Sequence, residues 1–345
     1  MISQKKCIFY ANFPKGYIPK VTFDVLATNL NRITLMLTKK GIFIRIADDN
    51  EKLENAYTMW DINWPKSKFN GVGNYKCTSD KNISLNIKSL QKLIKNVKKK
   101  DSLVFYISEA EKTWLNIIIQ PNSSQNSSNL GTRTETVRLN IQYVDFISPK
   151  LPDTYDDING NKKNAYSSPM IIKAPDFQKI KKMISMCKTT IIVTIQKNNY
   201  IRFSTESNGM TGLCLEVGAL TMTPESDDEE EDDDAENCKK ITLNDSTSEE
   251  SDDKKNKDSE SEEDEESSEK SQSENYPKVY QKQFNVNLFS PLVKLPGLCE
   301  QMEFFAPLFD SFPLKVSVNA SHDSGTISVY LKDTQQIELI EKNKT

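Results

Sequence analysis

Histidine is nearly missing from this chain of 345 residues, which has one, and glycine is scarce at 11. The lone His322 sits in the turn Ala320-Ser321-His322-Asp323-Ser324-Gly325, without the partners that nucleophilic catalysis requires. So little glycine leaves neither a phosphate loop nor a dinucleotide fingerprint. Six cysteines, at 7, 77, 187, 214, 238 and 299, include no Cys-x-x-Cys pair and none near histidine. Zinc spacing and a dithiol redox motif are thereby excluded, and reduced thiols are expected. No run of about eighteen apolar residues occurs, and the start Met1-Ile2-Ser3-Gln4-Lys5-Lys6 lacks the apolar stretch of a secretory signal. An intracellular protein with no membrane partner is the expectation. Asp48, Asp49 and Glu51 could bind magnesium in a nuclease, but three acids in one turn are ordinary turn chemistry. The chain is expected to be no enzyme and to carry no cofactor and no metal.

What is present begins with charge. The formal net charge of −4 averages two unlike regions. Between Glu225 and Glu274 there are 24 acidic residues and 6 lysines, a local charge of −18, which leaves +14 for the remainder. A basic body with an acidic insert points to a polyanion as partner. The segment 223–275 has almost no large apolar residues and cannot bury enough surface to offset chain entropy. It is predicted to be a disordered insert, read as a greatly expanded hairpin loop between Leu213–Leu220 and Lys278–Leu288, because loop-closure entropy grows slowly with length.

Elsewhere one unit recurs: a short strand, an amphipathic helix of about three turns, then a β-branched strand. The chain opens with Ile8-Phe9-Tyr10, a helix over Ile18–Leu30, and Ile33–Leu37. A second copy has Ile83–Ile87, a helix over Ser89–Lys99, and Leu103–Ile107. The third has Met170–Ile172, a helix over Asp176–Cys187, and Thr190–Ile195. The fourth has Phe284–Leu288, a helix over Pro291–Glu303, and Leu314–Val318. Alternating runs between the units predict antiparallel sheets covered on one face by helices, an α+β class. The expected division is 1–146, a connector at 147–165 rich in turn formers, and 166–345 interrupted by the insert.

In the second helix Leu90, Leu93, Ile94 and Val97 make a buried stripe, while Lys88, Lys92, Lys95 and Lys99 share another face. Like charges at that spacing weaken a helix slightly, so a partner outside the helix is expected to reward them. The third unit repeats the design with Lys179, Lys181, Lys182 and Lys188. The first and last contribute Lys20 and Lys294. Lysine is a point charge suited to phosphate without reading bases, so the expected contact is sequence-independent binding to a nucleic-acid backbone.

The order of these elements resembles the sliding clamps represented by proliferating cell nuclear antigen. Three strings carry the likeness: Gly41-Ile42-Phe43-Ile44-Arg45-Ile46-Ala47-Asp48; Leu85-Asn86-Ile87 running into the lysine helix; and Leu151-Pro152-Asp153-Thr154-Tyr155, similar to the family's Ile-Pro-Glu-Gln-x-Tyr. The resemblance implies two tandem clamp domains, with sheets outside and helices inside, in a homotrimeric ring that encircles double-stranded DNA at the site of replication. It implies a clamp loader and DNA polymerase as partners, and a groove beneath the connector for short clamp-interacting peptides. Lys20, Lys92, Lys95, Lys179, Lys182 and Lys294 fall where the family lines the hole, and Leu151, Pro152 and Ala47 fall at the groove. Ile337-Glu338-Leu339-Ile340-Glu341 replaces the family's C-terminal Tyr-Leu-Ala-Pro-Lys. With the insert and the Asn, Lys and Ile bias, this suggests a divergent member such as those of large DNA viruses. A checkpoint-type heterotrimer subunit, a viral processivity factor without a closed ring, and a metal-dependent DNA enzyme are the alternatives.

Overall fold

Strand formation here follows from period-2 burial: along Ile44-Arg45-Ile46 and Val316-Ser317-Val318 the outer residues are buried and the middle one is not. The computed structural model of the chain describes residues 6–47, 56–69, 74–121, 134–186, 189–196, 200–205, 212–218, 238–241, 279–320 and 324–344. The first half begins with β1 (Cys7–Phe13), α1 (Tyr17–Asn29), β2 (Arg32–Thr38), β3 (Gly41–Ala47), β4 (Thr58–Pro65) and β5 (Tyr75–Cys77). It continues with β6 (Lys81–Asn86), α2 (Ile87–Ile94), β7 (Ser102–Ser108), β8 (Trp114–Gln120), β9 (Glu135–Asn140) and β10 (Gln142–Tyr143). A hairpin of β11 (Thr154–Asp156) and β12 (Lys162–Asn164) follows in the connector. Its turn is built by the Asp157 carboxylate, which accepts the Asn159 and Asn161 amides, and by Gly160 at φ +76°.

The second half comprises β13 (Met170–Lys173), α3 (Ala174–Gln178), α4 (Ile180–Met186), β14 (Thr190–Gln196), β15 (Tyr200–Thr205), β16 (Gly212–Val217) and β17 (Cys238–Ile241). After these come β18 (Val279–Asn285), α5 (Val286–Phe289), a 3-10 helix (Ser290–Gly297), β19 (Gln301–Phe305), β20 (Leu314–Ala320), β21 (Gly325–Leu331) and α6 (Thr334–Lys344). A five-stranded sheet, β5-β1-β7-β8-β9, belongs to the first half, and another, β17-β16-β15-β14-β18, to the second. Between them runs a nine-stranded sheet, β10-β6-β2-β3-β4-β21-β20-β19-β13, whose β4–β21 seam joins the halves. One apolar core extends through both, from Phe9, Phe23 and Trp64 to Phe177, Phe203 and Phe304.

All but one of the described strand pairings are antiparallel, so the expected α+β class with two tandem clamp-like units is the architecture found. Apart from α6, the helices form one contiguous row: α2 lies against α1, α1 against the 3-10 helix, and the 3-10 helix against α3, α4 and α5.

Several expectations change. The lysine helix stops at Ile94 instead of Lys99, because the buried Asp101 carboxylate takes the Lys98 amide and closes a turn there. The third helix divides at Lys179, where amides of Lys179 and Lys182 bond three residues back. Pro296 and Gly297 end the last helix early, leaving Glu303 in β19. The insert does not join a hairpin: β16 and β18 are separated by β15 and β14. Most of 223–275 lies outside the described residues, as do Lys188, Asp48, Asp49, Glu51 and His322. Cys238–Ile241 instead pair in parallel with β16, since this is a stretch of the insert free of acids.

Residues 337–341 lie in α6, which opens with a reciprocal capping box. Asp333 accepts the Gln336 amide at 2.8 Å, and Gln336 Oε1 accepts the Asp333 amide at 3.1 Å. Burial pushes the Asp333 carboxyl above the usual range. Asp333→Ala should cost about 1 kcal/mol in urea denaturation, whereas Asp333→Asn, which keeps the acceptor, should cost little. Equal losses in both variants would show that the cap contributes nothing.

Candidate nucleic-acid interface and connector groove

In α2 the Asn86 side chain accepts the Ser89 amide at 2.8 Å, setting the helix start so that Ile87, Leu90 and Ile94 are buried. Lys88, Lys92 and Lys95 then stand exposed, with Lys95 at the C-cap, where a cation is favoured by the helix dipole. Lys99, beyond the helix, lies over the Tyr17 ring at 5.9 Å, and Lys20 of α1 lies over the same ring at 5.6 Å. Two neighbouring elements therefore bring their ammonium groups together around one aromatic. Lys182 of α4 is exposed, while Lys179 is paired with Asp176 at 3.2 Å.

Lys294 is exposed as well, but its ammonium is engaged. Its ammonium donates to the Asp24 carbonyl at 3.1 Å and the Thr28 hydroxyl at 3.2 Å, tying the 3-10 helix to the last turns of α1. Lys98 and Lys100, absent from the sequence-based set, are exposed beside Lys99. The triple lysine was visible in the sequence, but only Lys99 kept the four- and three-residue spacing of Lys88, Lys92 and Lys95.

The second candidate lies across the nine-stranded sheet. Its register aligns Ile46, Trp60, Val329, Val316 and Phe304 in one buried row. The alternating positions, one residue away on each strand, form two rows on the opposite face: Ala47, Met59, Tyr330, Lys315 and Phe305, then Arg45, Asp61, Ser328, Ser317 and Glu303. The connector crosses this face. Leu151 and Tyr155 settle on a small cluster of Met59, Ala165, Tyr166 and Tyr330, with Phe305 and Phe312 at its margin. Ala47 is directly opposite Met59, so the structure brings Ala47 and Leu151 to the same floor, with Pro152 half-buried beside it.

Polar groups hold the connector there. Arg45, ion-paired to Asp61 at 2.8 Å, reaches the Pro149 carbonyl at 3.4 Å. Asp153 accepts from Lys315 at 2.8 Å and from the Tyr330 hydroxyl at 2.9 Å. Burial first, and the Asp153 charge second, raise the Tyr330 and Tyr166 phenols well above the ordinary tyrosine range, so both stay neutral donors. Tyr166 donates to the Pro313 carbonyl at 3.0 Å. From the other side Gln336 of α6 donates to the Asp310 and Phe312 carbonyls, and Phe309 meets the Tyr155 ring edge-on at 4.8 Å. Asp153, Lys315, Tyr330 and Tyr166 were not selected from the sequence, although the alternation in β20 already places Lys315 opposite Val316.

No group of three His, Cys, Asp or Glu among the described residues is placed to hold a metal ion, and no helix there is long and apolar enough to cross a membrane. Cys77 and Cys299 are free thiols, with burial pushing Cys299 up to about 12.

Residues 8–141 match the family model described as proliferating cell nuclear antigen, N-terminal domain. The DNA polymerase sliding clamp of Nitrosopumilus maritimus is 33% identical over 90 residues, 26% of this chain and 33% of that protein. The DNA polymerase sliding clamp of Pyrococcus horikoshii is 28% identical over 124 residues, 36% of this chain and 42% of its own length. Over residues 8–141 the chain is similar to the proliferating cell nuclear antigen family. Its matches span well under two thirds of these clamps. At the level of fold, a solved PCNA2–PCNA3 complex from Sulfolobus tokodaii resembles the whole molecule. The TM-score is 0.58 at 13% identity, covering 94% of this chain and 99% of that one.

Proposed function

We propose that this chain is a processivity clamp for DNA polymerase, holding duplex DNA by encirclement and performing no chemistry of its own. The observation that carries this reading is the contiguous row of helical elements, with exposed lysines on α2 and α4 and sheets behind. A cationic surface of lysines attracts phosphate along any sequence, which suits a protein that must slide. Lys20, Lys88, Lys92, Lys95, Lys99 and Lys182 are the DNA-facing set, with Lys179 beside them. Lys294 serves the junction of the helices. In this reading the domains are 1–146 and 166–345, joined by the connector 147–165. Ring closure uses open sheet edges: among the described residues β9 pairs with β8 on one side only, so a second copy can extend that sheet. Polymerase and other replication proteins dock short aromatic-bearing peptides on the Ala47–Leu151–Pro152 floor, and a loader opens the ring.

The deciding experiment is topological. Protein loaded on nicked circular DNA should remain bound in high salt and be released when the circle is cut. Equal release before and after cutting overturns encirclement. The solution mass decides the assembly: three times the 39.3 kDa chain mass is expected, and a requirement for a second, different chain indicates the heterotrimeric alternative.

A further inference from the structure

Lys315 is unusual in its surroundings. It stands in the floor row between Tyr330 and Phe305, with its side chain only 19% exposed. Its ammonium lies 5.3 to 5.6 Å from the ring centroids of Phe305, Tyr330 and Tyr166. Aromatic faces attract a cation, but a largely buried ammonium still needs a counter-charge. The carboxylate that supplies it, Asp153 at 2.8 Å, belongs to the connector and not to the sheet. Asp153 also receives the Tyr330 hydroxyl, and its own carbonyl accepts the Ala165 amide at 2.9 Å, closing the connector hairpin on itself. Sheet and connector thus satisfy each other's charge at one point, four residues from where Arg45 reaches Pro149.

We propose that Asp153 and Lys315 form an ionic latch that positions the connector, so that Leu151 and Pro152 stand ready over the floor for an incoming aromatic-bearing peptide. The inference rests on the groove reading above and assigns the residues that keep the groove formed. A groove held in shape beforehand spares the peptide the entropy of ordering it. Both are positioning residues acting through each other.

The test uses the full chain with a fluorescein-labelled synthetic peptide carrying two adjacent phenylalanines, followed by fluorescence anisotropy. Asp153→Asn preserves shape and the Tyr330 bond, and Lys315→Met preserves the stem among the rings. Each should weaken peptide binding about tenfold, the effect of losing one charge-assisted hydrogen bond. The double variant should lose no more than either single one, and additive losses overturn the latch. Hydrogen exchange at the Ala165 amide should accelerate in all three variants, and retention on circular DNA should not change. Unaltered exchange, or unaltered peptide affinity with the wild type binding well, overturns the latch alone. A wild-type chain that binds no such peptide overturns the groove reading, and this proposal with it.

Discussion

Lys92→Glu combined with Lys95→Glu is expected to cut DNA affinity roughly a hundredfold at low salt and to flatten its salt dependence. Each phosphate contact contributes about 0.9 to the slope of log K against log salt, so losing two lowers it by about 2. Competing effects on folding are too small to imitate this. Both side chains are exposed, and exposed substitutions usually shift stability within about 0.5 kcal/mol. An acid near the C-terminus of α2 adds an unfavourable dipole term of about 0.3–1 kcal/mol per residue. The oligomer mass should therefore stay unchanged while retention on circular DNA falls. Lys294→Glu is the instructive contrast. Its ammonium is bonded to α1, so it should loosen the contact between the 3-10 helix and α1 and leave the slope nearly intact. If the double variant keeps the wild-type slope, α2 does not face DNA.

The second large effect concerns the seam between the halves. Gly325 opens β21 at φ +143°, and a Cβ there would lie 2.3 Å from the Asn63 carbonyl oxygen and 2.7 Å from Cδ1 of Trp64. Asn63 pairs with Thr326 in the β4–β21 register, so neither the carbonyl nor the buried indole can retreat without disturbing the junction. Backbone strain and overfilling each cost about 1–3 kcal/mol, so Gly325→Ala should lose about 2–6 kcal/mol in chemical denaturation. Gly160 isolates the steric part. It has φ +76° but nothing within 4 Å of the place an added Cβ would occupy, so Gly160→Ala should cost only about 1 kcal/mol. A Gly325→Ala protein as stable as Gly160→Ala would show that the seam tolerates movement.

The secondary-structure pattern was most legible where burial is periodic. The helix expected over Ile18–Leu30 is found at Tyr17–Asn29, because Val21, Val25 and Leu26 all turn inward. It was least legible where a local contact overrides the pattern, as when Asp101 stops the lysine helix or Pro296 shortens the last one. The lysines were visible by spacing, but their destinations were not. Lys92 and Lys294 look alike in the sequence and both are exposed, yet Lys294 is bonded to carbonyl and hydroxyl oxygens some 270 positions away. Ala47 and Leu151 were assigned to the groove by resemblance, whereas the pairing of Lys315 with Asp153 was invisible because it spans 162 positions.

By itself the sequence determined the class of the fold, the recurring strand–helix–strand unit, the cationic character of the helices and the acidic interruption. These depend on local periodicity and on composition, which act over a few residues. Tertiary structure alone decided which strands adjoin, that β16 and β18 lie apart, and that a lysine from β20 meets a carboxylate from the connector. Such choices are made by sheet register and side-chain fit between distant segments, where a shift of one residue turns every side chain to the other face.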